Sequence, residues 1–163
     1  QLDGLVHFLR HYAPGFENCY VDRTAAQVGI RETRRIIGDY TLTKADVLSA
    51  RRFPEGVVPS CNSIDVHDIR GKRFAHEYLQ RGTHYQIPYG CFLPTGLEGL
   101  LVAGRCLSAD HAALGSARVM VTCMPMGEAC GIAAALSVKK RRPPRAVPVE
   151  EVRVALRQRA TCV

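Results

Sequence analysis

The segment 97–140 constrains the fold more than any other part of the chain. Gly99-Leu100-Leu101-Val102-Ala103-Gly104 is a short continuous apolar run bounded by glycines. That is the pattern of a strand buried on both faces and paired in parallel. A polar loop, Arg105 to Arg118, follows it, and Val119–Lys140 then reads as one long helix that ends before Pro143-Pro144. Within the helix, Cys123, Gly127, Gly131, Ala134 and Ala135 recur at helical spacing and lay small side chains along one face. An interior glycine costs a helix about 1 kcal/mol relative to alanine, so the stripe predicts close approach of another backbone. A tightly packed core helix without any ligand satisfies the same spacing.

The start of this helix carries more chemistry. The free N–H groups and the positive end of the macrodipole make a helix N-terminus a natural anion site. Here it receives a loop containing Gly104, Arg105, Ser108, His111 and Arg118. A strand that delivers such a loop to a helix start is how open α/β sheets build ligand crevices.

The rest of the chain is less regular. Leu2, Leu5, Val6 and Leu9 fall on one helical face, and Pro14-Gly15 ends that helix. Cys19–Val21 and Ala25–Ile30 read as short strands. Arg31–Tyr40 packs charges around Ile36-Ile37. Thr43-Lys44-Ala45-Asp46 is a capping-box-like start for a helix to about Arg51. Residues 53–84 show no sustained period and predict loops with short strands, one of them Ser63–Val66. Tyr85, Ile87 and Tyr89 alternate in a strand that Pro88 confines to an edge or a crossover. Pro148, followed by Glu150 and Glu151, starts a last amphipathic helix, read as a surface latch. The implied organisation is an α+β portion at 1–90, a strand–loop–helix unit of α/β character at 91–142, and a tail helix at 143–163.

Composition excludes little. Of 163 residues, 47% are apolar and 23% charged, ordinary for a globular domain. No run approaches the roughly 18–20 apolar residues of a membrane span, and Asp3, His7 and Arg10 break any N-terminal signal pattern. The expectation is a cytoplasmic protein without a membrane partner. The seven cysteines form no CxxC pair and their odd number makes a poor disulfide framework. They read as reduced thiols, with a metal site or redox pair as the alternative; no metal ligand is assigned. The net charge of +7 raises nucleic acid as a partner. However, the one dense basic run, Lys139–Arg142, complements a helix C-terminus and has no interleaved aromatics.

The motifs resemble a known family. Gly104-Arg105-Cys106-Leu107-Ser108, Arg118–Met124 and Met126–Leu136 are similar to the C-terminal signature of FAD-dependent oxidoreductases related in fold to glutathione-reductase-type flavoproteins. Pro14–Asn18, Gly29–Ile36, Tyr40–Thr43, Arg52-Phe53-Pro54 and Ile87-Pro88-Tyr89 agree with it in order. The resemblance implies an α/β fold with an α+β substrate-side portion, and hydride transfer between a small organic substrate and FAD. It places Gly104, Arg105 and Ser108 along the ribityl and pyrophosphate side, and Val119, Met120 and Thr122 at the pyrimidine edge. Arg118 is its charged group near flavin or substrate, with a solvated or salt-bridged loop arginine as the alternative. Arg34, within Arg31–Arg35, belongs to a cluster that orients an anionic or polyhydroxy substrate, unless Glu32 simply pairs with those arginines and holds the two parts together. His67 and His111 are acid–base candidates, each with a hydrogen-bonded structural role as the alternative. Tyr85 and Tyr89 are read as core or pocket wall.

Two departures stand out. Glu128-Ala129-Cys130 replaces the usual Gln-Ala-Ala, and a buried glutamate there would need a partner. No GxGxxG occurs anywhere in the sequence, so the N-terminal βαβ dinucleotide motif is lacking. The expectation is a partial FAD/NAD(P)-binding fold that needs the missing N-terminal FAD-binding portion as partner and does not hold FAD tightly alone. The competing functions are a non-catalytic remnant or interaction module and, further off, a basic nucleic-acid-binding domain.

Overall fold

The computed structural model describes residues 1–67 and 74–159, and the backbone alone of His67, Phe74 and Ala75. The chain divides into two compact units, Gln1–Ile30 and the remainder from Arg31.

The first unit is α1 (Leu2–Tyr12) and an irregular extension. The periodicity at Leu2, Leu5, Val6 and Leu9 does form a helix, but none of its residues is buried. Residues 19–30 adopt no strand, contrary to expectation. A strand is held by its ladder, and this unit supplies no second strand to pair with.

The second unit begins with α2 (Lys44–Leu48), where the capping box forms as the sequence implies: the Thr43 side chain accepts from Asp46 N–H, and Asp46 accepts from Thr43 N–H. Two antiparallel pairs follow. β1 (Gly56–Ser60) pairs with β4 (Tyr85–Pro88), and β2 (Ile64–His67) pairs with β3 (Phe74–Glu77). Both sheets have two strands, so Pro59 and Pro88 sit where no further ladder is interrupted. β1, β4 and the helices downstream bury their side chains in one core, which includes Val58, Ile87, Phe92, Leu107, Leu114, Met126 and Leu156.

The predicted buried strand at 99–104 does not form. Leu100 is exposed, and Gly99 and Gly104 take positive φ angles of 74° and 79°. No strand among the described residues lies alongside to complete a ladder; Val102 N–H donates to the Phe92 carbonyl alone. The loop expected from Arg105 to Arg118 contains a helix, α3 (His111–Ala117), capped by Asp110, whose carboxylate accepts from Ala113 N–H at 2.7 Å. Mixed helices and small sheets remain consistent with an α/β fold.

The long helix is α4 (Met120–Lys140), uncapped by any side chain at Val119 and closed at Arg141 in a left-handed conformation. By length and composition α4 qualifies as a membrane span, contrary to the expectation that no segment does. In this fold one face of it, Thr122, Met126, Ala129, Cys130 and Ala133, is buried in the core. The small-residue stripe lies elsewhere on the helix: a Cβ at Gly127 or Gly131 would meet nothing within 4 Å. α5 (Val149–Gln158) is more than a surface latch, because Val152 and Leu156 are fully buried against the same core.

Candidate functional site around the start of the long helix

The start of α4 is placed by contacts that the sequence does not advertise. Asp110 accepts from Ala113 N–H of α3 and from Lys44 N–H of α2, so one carboxylate fixes two helix starts. Gly115 lets α3 press onto β2; a Cβ there would lie 2.8 Å from Val66 Cγ2 and 3.0 Å from the Asp65 carbonyl. That approach brings Arg118, at the end of α3, within 2.8 Å of the Asp65 carbonyl oxygen. A single extended residue, Val119, then turns the chain into α4.

Beneath this turn is a polar layer in which every member is paired. Ser116 Oγ donates to the Asn62 carbonyl and lies 2.8 Å from the Tyr85 hydroxyl; Asn62 Nδ2 donates to the Ser116 carbonyl; Ser60 and Thr122 hydroxyls are 3.0 Å apart. Burial raises the Tyr85 hydroxyl above its usual pKa, so it stays neutral and serves as a hydrogen-bonding group. Among the described residues no buried side-chain polar atom lacks a partner.

At the first turn itself, Thr122 and Cys123 N–H both turn back to the Val119 carbonyl, while Met120 and Val121, the first two helical residues, have no intrahelical acceptor. Their side chains are about three-quarters exposed. Two concavities flank them. One, of about 430 Å³, is lined by Arg31, Arg105, Arg118, Val119 and Met120, with Asp65 and His76 from the β2–β3 pair. The other is a groove of about 800 Å³ bordered by Cys61, His84, Tyr78, Val121 and Thr122.

Of the residues expected to act together, Arg105, Arg118, Val119 and Met120 share one cavity. His111 joins them through Glu32: its Nδ1 lies 2.9 Å from Glu32 Oε1, and Arg118 Nη1 lies 3.6 Å from Glu32 Oε2. Glu32 also accepts from Arg35 at 2.8 Å, so the pairing of Glu32 with neighbouring arginines is formed. Thr122 borders the other groove with its hydroxyl against Ser60. Ser108 is fully buried, its hydroxyl 2.9 Å from that of Thr41. Gly104 opens a short 3-10 turn. Arg34 is exposed and makes no hydrogen bond or ion pair among the described residues. His67 ends β2 by its backbone, and its side chain lies outside the described residues. Asp65, His76 and Asn62 were not anticipated. They reach the site from the β2–β3 pair and the residue stretch just before it, about 50 residues upstream, in a segment whose sequence has no period to read.

Among the described residues no group of three or more His, Cys, Asp or Glu is placed to hold a metal ion. Six cysteines are described and all are free thiols. Burial pushes Cys91 and Cys130 up to about 12, far from thiolate chemistry.

A basic, half-apolar crevice at an uncapped helix start is the class of site that open α/β proteins use for anionic or nucleotide-derived ligands. Comparison with family models matches residues 1–156 to the FAD dependent oxidoreductase family, and the chain belongs to it. No curated protein and no solved structure matches the chain.

Proposed function

We propose that this chain supplies the flavin-edge part of a glutathione-reductase-type FAD-dependent oxidoreductase, which transfers hydride between a small organic substrate and the flavin. The observation that carries this is the uncapped start of α4, with Met120 and Val121 exposed and Arg105 and Arg118 beside them. Exposed apolar side chains next to unpaired N–H groups fit a planar ring with an electron-rich edge; they are poorly placed for water. In this reading Val119 and Met120 hold the pyrimidine edge. Gly104 and Arg105 lie toward the ribityl and pyrophosphate side, with Ser108 behind them as support. When bound, FAD supplies the two-electron chemistry. Arg118, fixed by Glu32 and the Asp65 carbonyl, presents a positive charge to the reacting partners, and His111 is the proton-carrying group within reach of that network.

The exposed face of α4, with Met124, Gly127, Gly131, Ala134 and Val138, is the surface on which further polypeptide of a flavin-binding domain would pack. The same face supports the second reading, an interaction module that keeps the fold without the chemistry. The test is a titration of the purified chain with FAD, followed by flavin fluorescence. We expect weak, saturable quenching that Met120→Glu abolishes. Absence of quenching at any concentration would sink the flavin-edge reading. A yellow protein with one tightly held equivalent would sink the claim that more polypeptide is needed.

A further inference from the structure

We propose that the 430 Å³ cavity beside the start of α4 is a binding site for a small organic acid, recognised through its carboxylate by Arg31 and Arg105. The binding is a property of the flavin-free chain and does not rest on the flavin reading above; because that reading gives Arg105, Val119 and Met120 to FAD, the acid and FAD exclude one another in this cavity.

Charge is the first argument. Arg31, Arg105 and Arg118 line the cavity, and Arg35 stands just behind on Glu32. Among the described residues, two carboxylates, Glu32 and Asp65, stand against these four guanidiniums. Glu32 is already shared between Arg35 at 2.8 Å and Arg118 at 3.6 Å, and the Asp65 carboxylate lies 4.0 Å from His76 Nε2. Arg31 and Arg105 make no hydrogen bond or ion pair among the described residues. A guanidinium is a planar fork that matches a carboxylate with two parallel hydrogen bonds, and an ionised pair is about twice as strong as a neutral one.

The wall opposite decides the class of anion. Val119 and Met120 line the same cavity, and Met120 is 73% exposed. An inorganic oxyanion would engage the arginines and leave that wall wet. An acid with a short hydrocarbon body covers it, so recognition combines apolar contact with a charged head, the usual division of labour in small-molecule pockets. The volume is ample for a molecule of four to six carbons.

Arg31 and Arg105 are exposed and make no hydrogen bond or ion pair among the described residues, so replacing them is expected to leave the fold intact. The experiment is calorimetric titration of the flavin-free chain with succinate, with succinamide as the uncharged analogue, and with inorganic phosphate. We expect succinate to bind, succinamide to fail, phosphate to bind more weakly than succinate, and Arg31→Gln and Arg105→Gln each to weaken succinate about tenfold, the effect of one lost charged hydrogen-bond pair. Equal or tighter binding of phosphate would overturn the organic-acid assignment. Succinate binding unchanged in both variants, or no binding of any anion, would overturn the site. If succinate binds as expected while FAD quenching is absent, the acid site stands and only the flavin reading falls.

Discussion

Arg118 and Glu32 face one another at 3.6 Å across 86 residues of sequence, with the guanidinium 11% and the carboxylate 18% exposed. Glu32 is the hub of the site. It meets Arg35 at 2.8 Å and His111 at 2.9 Å as well, and so ties the segment before α2 to both ends of α3. Removing its charge strands three partners at once. Glu32→Gln should cost about 1–3 kcal/mol of stability, the range for an unsatisfied buried group, measured by denaturant unfolding. Arg35→Ala, which leaves Glu32 with two partners, should cost less than about 1 kcal/mol, as partly exposed pairs do. Equal costs for the two variants would refute the hub.

Asp46 is the second polar anchor, 3% exposed at the start of α2. Burial on its own would raise its pKa. The hydrogen bonds from the Thr43 hydroxyl, Arg51, Thr43 N–H and the Tyr40 hydroxyl outweigh burial and hold it below its ordinary value of 3.8. A depressed folded-state pKa means the unfolded chain binds the proton first as pH falls. The stabilisation from Asp46 is therefore fully present above the ordinary carboxylate value and is lost as pH drops through the folded-state pKa. Asp46→Asn should destabilise the fold at pH 7 by about 1–3 kcal/mol. It should also flatten the acid limb of a stability–pH curve below about pH 4. An unchanged acid limb would show that other carboxylates set it.

Thiol chemistry divides the cysteines by position. Cys61 and Cys106 are exposed, while Cys91 and Cys130 are buried and raised to about 12. In the native chain Cys61 and Cys106 should alkylate at pH 8 within minutes and Cys91 and Cys130 should stay unlabelled until denaturant is added, as mass spectrometry of the labelled peptides would read. Rapid native labelling of Cys91 would mean that the core around Leu42 and Phe92 opens readily.

What the sequence could reveal follows from how local each signal is. α1, α2, α4 and α5 were legible because apolar spacing, a capping box and flanking prolines are all encoded within a few residues. α3 was missed because His111–Ala117 is too short and small-chained to show a period, and its cap, Asp110, reads equally well as a loop residue. The apolar run at 99–104 misled for the opposite reason: it has the composition of a buried strand, yet strand formation depends on a neighbour, and none lies beside it among the described residues. Glu128, flagged as a charge in need of a partner, is half-buried with Arg159 Nη1 at 4.0 Å. At the site, Arg105, Arg118, Val119 and Met120 could be grouped from one stretch of chain. The Asp65 carbonyl and His76 could not, since backbone acceptors leave no trace in residue type and the hairpin that carries them has no periodic signature.

The glycines of α4 allow a sharper test of what covers the helix. Gly115 in α3 is packed, with a Cβ at 2.8 Å from Val66 Cγ2, whereas a Cβ at Gly127 or Gly131 would stand in open space. Gly115→Ala should therefore destabilise the chain, by about 1–3 kcal/mol from overpacking. Gly127→Ala and Gly131→Ala should each stabilise it by up to about 1 kcal/mol, the helix-propensity gain with nothing to clash against. Thermal unfolding of the three variants measures the contrast. The sign at Gly127 and Gly131 is informative beyond stability. Helices keep interior glycines where another backbone approaches, and under the proposed flavin reading this is the face on which further polypeptide packs. If further flavin-domain polypeptide packs there, the same alanines should weaken its association with the chain while raising the melting temperature of the chain alone. Alanines that leave both quantities unchanged would show that the stripe serves neither role.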